Sequence, residues 1–137
     1  MSDPVAKPRP QFRNISVTQL MSYRLPLAGK LSILHRVSGA LLFLCLPLVI
    51  LPLFAASVTS QETFDNVAAY MGHPIMKLIV LVLMWGYLHH FCAGIRYLML
   101  DLHIGLDKAA AQKSAGIVFG VSLALTLVYA LKLFGVW

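Results

Sequence analysis

Charge is scarce in this sequence: only 12% of its 137 residues are Asp, Glu, Lys or Arg, and just five are acidic. Soluble domains carry about 25% charged and about 45–50% apolar residues, whereas here the hydrophobic share is 59%. A chain this short builds one modest core and cannot hide so much apolar surface from water. With a mean hydropathy of +0.80, an ordinary soluble domain and a disordered chain are both excluded. Cysteine is nearly absent too. Cys45 and Cys92 each sit inside an apolar run. No CxxC, CxxCH or zinc-type spacing is present, which excludes c-type haem attachment and a structural zinc site; both thiols read as free and buried. Also missing are a dinucleotide-binding motif, a cysteine set for an iron–sulfur cluster and a nucleophile–base constellation. No internal repeat or low-complexity tract is visible. Residues 1–30 hold no apolar stretch of signal-peptide length, so the chain's own spans are expected to direct its insertion.

What is present is long uncharged runs with positive charge at their edges. The net charge of +6 and a pI near 9.6 first suggest nucleic acid. The basic residues flank apolar runs, however, so they read as a membrane-orientation signal, with lipid rather than nucleic acid as the partner. Three uncharged stretches reach the roughly 20 residues that cross a bilayer: Val37 to Gln61, Leu78 to Ile95 and Ser114 to Leu131. Backbone groups in lipid must be satisfied internally, so each is read as an α-helix. Lys7, Arg9, Arg13, Arg24 and Lys30 precede the first span, and Lys108 and Lys113 follow the second. The loop between the first two spans carries only Glu62 and Asp65. The positive-inside rule therefore puts the N-terminus in the cytoplasm and Trp137 outside.

The expected divisions are a cytoplasmic segment at 1–30, spans at 31–56, 74–101 and 108–135, an outer loop at 57–73 and a cytoplasmic loop at 102–107. Thr59 and Glu62 have capping-box spacing, which suggests a short surface helix over 60–71. Pro74 suits the first turn of the second span, and Asp107 suits the N-cap of the third. Pro47 and Pro52 should bend the first.

Polar groups within spans cost free energy and are functional candidates by default. Ser32, His35, Arg36 and Gly39, at offsets of 0, 3, 4 and 7, share one helical face at the cytoplasmic end of the first span. Snorkelling accounts for one arginine; a histidine and a serine on the same stripe point to an anionic or carbonyl-bearing ligand. In the second span His89 and His90 are adjacent, so they point about 100° apart. His90 has Gly86 and Gly94 one turn to either side, leaving a groove in which an imidazole could reach the iron of a planar macrocycle. Such spacing also allows close helix packing. His89 shares a crowded face with Trp85 and Arg96, which favours His90 as the ligand. Counting inward from Lys30 and Asp101 at about 1.5 Å per residue puts His90 about 9 Å deeper than His35. One iron would not then take both, and a second axial ligand would come from another chain, with His35 and Arg36 suited to haem propionates.

The run Ser32-Ile33-Leu34-His35-Arg36-Val37-Ser38-Gly39, with His90-xxx-Gly94-Ile95-Arg96 and Asp101, closely resembles the cytochrome b membrane-anchor subunits of succinate dehydrogenases. Arg9-Pro10 and Arg24-x-Pro26 resemble the N-terminal signature of that family. The sequence departs from some relatives at Tyr97, where they carry a histidine. The resemblance implies an all-α membrane protein whose three transmembrane helices form half of a heterodimeric haem-binding bundle. It implies a flavoprotein subunit, an iron–sulfur subunit and a second small anchor subunit as partners, in a bacterial-type inner membrane. It further implies that His90 is one axial ligand of haem b, that His35 and Arg36 contact the propionates, and that Ser32 and Arg36 line the ubiquinone pocket. No succinate-oxidising site is expected in this chain. Two rivals stand beside this reading: an anchor of a related fumarate reductase, and a non-redox assembly or transport subunit whose histidines are structural.

Overall fold

The computed structural model of the chain describes residues 16–136, nearly all of them helical and without a strand among them. A short helix, α1 (Val17–Ser22), precedes the first span. The N-terminal signature around Arg9-Pro10 lies outside the described residues. The first span is one continuous helical rod over Leu27–Thr59, made of α2 (Leu27–Cys45), a π-helical turn (Leu46–Ile50) and α3 (Leu51–Thr59). It starts four residues before the expected boundary at residue 31, because Pro26 holds extended backbone (ψ 158°) and ends the preceding loop there. Lys30 thus falls in the first helical turn. The orphan N–H of Ala28 in that turn donates to Gln112 Oε1 at 3.2 Å, a cap supplied by the third span.

Pro47 and Pro52 lack the N–H groups that would bond four residues back. The backbone between them widens instead, and Leu51 N–H reaches Leu46 C=O, five residues earlier. After α3 the chain breaks at Ser60, whose backbone is extended (φ −157°, ψ 164°), and α4 (Gln61–Gly72) follows. Its capping box pairs Ser60 with Thr63, not Thr59 with Glu62. Thr59 is unavailable as a cap because it is still helical and its hydroxyl donates back to Ala55 C=O.

The second span is α5 (Pro74–Asp101), opened by Pro74 and capped by His73 Nδ1, which accepts from Ile75 N–H at 3.3 Å. A tight loop turned by His103 (φ 62°) and Gly105 (φ 75°) leads to α6 (Lys108–Leu133). Asp107 caps α6 by accepting from Ala110 N–H at 2.9 Å.

Helix α5 is the centre of the bundle, packing on both α2 and α6, which also touch each other. Among the described residues the buried apolar side chains are few: Leu31, Ala93, Ala115 and Val118. Two of these four are alanines, which bring backbones close where lipid offers no hydrophobic drive between helices. The remaining bulk, such as Phe43, Leu48 and Leu127, faces outward. In water such a surface would aggregate; in a bilayer it is the solvent-facing side. The chain is an all-α membrane protein, and among its described residues three helices are long and apolar enough to cross a bilayer.

Candidate functional site

The seam between α2 and α5 gathers the histidines. His35 on α2 and His90 on α5 stack face to face, with ring centroids 4.1 Å apart and planes 5° from parallel. They therefore lie at one level, and the expected 9 Å difference in depth is not found. The count assumed that Lys30 and Asp101 mark one height. Helix α5 instead runs on past that height before it ends at Asp101, so its charged end is a poor depth gauge.

His90 is held through one nitrogen. Its Nδ1 lies 3.0 Å from the backbone carbonyl oxygen of His35. A carbonyl only accepts, so Nδ1 carries the proton and Nε2 keeps its in-plane lone pair. Ser38 Oγ donates to the same carbonyl at 3.0 Å and sits 3.2 Å from His90 Nδ1. Nε2 makes no hydrogen bond among the described residues. Gly39 makes this arrangement possible: a Cβ there would sit 2.8 Å from His90 Cε1 and 3.3 Å from Nδ1. Gly94 is looser, its would-be Cβ 3.9 Å from His35 Nε2. Tyr97 closes the far side, its ring 4.9 Å from that of His35.

His89 points elsewhere. It is 1% exposed and packs between Trp85 (5.4 Å) and Phe119 of α6 (5.2 Å). Neither ring nitrogen of His89, nor Trp85 Nε1, has a hydrogen-bond partner among the described residues. Both side chains line a small cavity of about 80 Å³ between α2 and α5, with Gly86 and Ser38 in its wall. The adjacent histidines thus divide: His90 meets α2, and His89 is buried toward α6. Between Gly86 and Gly94, one ring face of His90 is covered by His35.

Ser32 is half-buried and Arg36 exposed, one turn apart on α2, and neither side chain hydrogen-bonds within the described residues. Gly39 is thus brought against His90, whereas Ser32 and Arg36 remain at the rim. The contacts of Ser38 and Tyr97 with the histidines were not expected, although both residues stand in the family-like runs; the signal for Ser38 was its spacing of three from His35, back over the same helical turn. Cys45 and Cys92 are free and half-buried. Among the described residues no three His, Cys, Asp or Glu side chains gather as a metal cage.

Arg96 was not expected to be structural, yet it is 7% exposed at the α5–α6 contact. Its Nε donates to Ser114 Oγ at 2.8 Å and an Nη to Ala111 C=O at 3.2 Å. The guanidinium also lies 5.4 Å from the centre of the Tyr97 ring. Taking a charged side chain out of water costs free energy unless it is hydrogen-bonded, and these contacts offset part of that cost.

The sequence matches a known family of membrane proteins. The family model described as the succinate dehydrogenase/fumarate reductase transmembrane subunit matches residues 7–129. The succinate dehydrogenase cytochrome b556 subunit of Coxiella burnetii is 34% identical over 118 residues, covering 86% of this chain and 90% of the relative. That of Paracoccus denitrificans is 34% identical over 108 residues, covering 79% and 82%. That of Rickettsia felis is 27% identical over 124 residues, covering 87% and 88%. The chain belongs to the succinate dehydrogenase/fumarate reductase transmembrane-subunit family, alongside the cytochrome b anchor subunits of succinate dehydrogenase.

Proposed function

We propose that this subunit binds haem b through His90 Nε2 and helps form the site where ubiquinone is reduced in a succinate dehydrogenase. The carrying observation is the 3.0 Å contact between His90 Nδ1 and the His35 backbone carbonyl. A histidine ligand typically donates its other N–H to a carbonyl or carboxylate, which fixes its tautomer and aim. The bond to His35 C=O has that form and leaves the Nε2 lone pair for iron. Ligation uses the ring plane, so the stacked His35 ring does not obstruct it.

When bound, the haem supplies a one-electron store beside the quinone site. His35 and Arg36 then serve as basic partners of its propionates, Arg36 from the exposed rim. Rings stacked at 4.1 Å leave no room for a macrocycle between them, so His35 would not be the second ligand, and a partner anchor subunit would supply it. The Ser32 hydroxyl and the Arg36 guanidinium hydrogen-bond a quinone oxygen and stabilise the charge that develops on it during reduction. Electrons reach this site from an iron–sulfur subunit fed by a flavoprotein. The positive residues before α2 and between α5 and α6 orient the chain with its N-terminus in the cytoplasm of a bacterial inner membrane.

The test is optical. In the complex purified with this chain, His90→Ala should remove the reduced-minus-oxidised b-type bands and His89→Ala should keep them. An unchanged spectrum in the His90 variant refutes the ligand assignment. A colourless wild-type complex would favour structural histidines instead.

A further inference from the structure

The His35 side chain is held without hydrogen bonds. Among the described residues neither nitrogen of its imidazole has a partner, so the ring is fixed by what it lies against. His90, Gly94 and Tyr97 stand at i, i+4 and i+7, one stripe along α5. The His35 ring enters that stripe from α2. It stacks on His90 at 4.1 Å and 5° and leans on Tyr97 at 4.9 Å and 48°. A Cβ on Gly94 would sit 3.9 Å from its Nε2. The stripe is therefore a slot with a ring at either end and a glycine as its floor.

The Tyr97 wall is itself braced. The Arg96 guanidinium lies 5.4 Å from the centre of the Tyr97 ring. Arg96 is tied in turn to α6, through Ser114 Oγ at 2.8 Å and Ala111 C=O at 3.2 Å. A row of contacts thus runs from α6 through Arg96, Tyr97 and His35 to His90.

His90 has use for such a row. Its polar neighbours, the His35 carbonyl at 3.0 Å and Ser38 Oγ at 3.2 Å, both meet Nδ1. Hydrogen bonds at one nitrogen accept a wide spread of angles, and rotation about the Cβ–Cγ bond of a histidine is soft. Those contacts alone leave the imidazole plane free to rock. A flat ring stacked face to face stops the rocking.

We infer that His35 is a positioning residue for the axial ligand: seated in the slot, its ring sets the plane in which His90 presents the Nε2 lone pair. Groups outside the coordination sphere commonly orient a ligand ring through hydrogen bonds; here the orienting group acts through its face. The inference rests on the assignment of His90 as the ligand and is separate from any contact of His35 with a propionate.

The low-field electron paramagnetic resonance line of a low-spin ferric haem depends on the relative planes of its axial ligands. It therefore reads this orientation, while haem content reports ligation itself. In the purified complex His35→Leu should keep haem but shift and broaden the line. His35→Phe restores a flat ring and should leave the line closer to its wild-type position than His35→Leu does. Gly94→Val keeps both histidines but fills the slot, and should shift the line as well. Tyr97→Leu should broaden it and Tyr97→Phe should not. A line unmoved in His35→Leu and Gly94→Val would overturn the inference. Equal displacement by His35→Phe and His35→Leu would do the same, because it would assign the effect to the imidazole nitrogens. If His35→Leu loses haem, Gly94→Val and the contrast between the Tyr97 variants decide by the same line. A wild-type complex without low-spin haem would refute the ligand assignment, and this inference with it.

Discussion

At the scale of single residues, the hydrogen that serves as the side chain of Gly39 decides where His90 can sit. An alanine there gains about 1 kcal/mol of helix propensity. It also puts a Cβ 2.8 Å from His90 Cε1, and overpacking of that kind costs about 1–3 kcal/mol. Gly39→Ala should therefore push the imidazole off the His35 carbonyl, shift or broaden the b-type bands and lower the thermal midpoint of the complex. Gly94→Ala, whose nearest neighbour would be His35 Nε2 at 3.9 Å, should leave the spectrum as it is. Identical spectra in the two variants would show that the Gly39–His90 contact does not govern the ring. The spacing of His90 and Gly94 was legible in the sequence because both lie on one helix. Gly39's role was not, since it belongs to a contact between residues 51 positions apart.

At the scale of elements, local chemistry decided most boundaries. Pro74 and Asp107 act where their side-chain chemistry dictates, at helix starts. The surface helix α4 is expected for the same reason, but its cap moved by one residue. Thr59 and Ser60 are chemically similar caps, and the choice between them depends on which residue leaves helical backbone first. Ser60→Ala should cost about 1 kcal/mol of helix stability and speed amide exchange in the first turn of α4, whereas Glu62→Ala should change exchange there little. Fast exchange in the Glu62 variant and not in the Ser60 variant would reverse the assignment. The π-helical turn at Leu46–Ile50 was foreseen only as a bend. Two prolines five residues apart remove neighbouring donors, and the backbone accommodates both by widening a turn.

At the scale of the whole molecule, the charges divide by task. On the proposed orientation, five of the six basic residues ahead of the first uncharged run, Lys7, Arg9, Arg13, Arg24 and Lys30, together with a loop free of Lys and Arg between the first two spans, are the direction signal. Reporter fusions should therefore place the N-terminus inside and the C-terminus outside, and the reverse result would undo the orientation. Arg36 is not part of that task. Its loss should remove a charge-assisted hydrogen bond of about 1.5–3 kcal/mol, so Arg36→Leu should slow quinone reduction roughly 10- to 100-fold while succinate oxidation by a soluble acceptor falls much less. Equal loss of both activities would indicate misassembly.

Class, span number and candidate ligands were legible in the order of residues alone, because hydropathy, flanking charge and helical spacing are properties of short stretches. Tertiary packing settled the rest. It put His35 and His90 at one level, turned His89 toward α6, and buried Arg96 beside Ser114. Those outcomes depend on how far one helix slides and turns against another. That offset is set by which small residues meet across the seam, a relation between distant positions that no local pattern encodes.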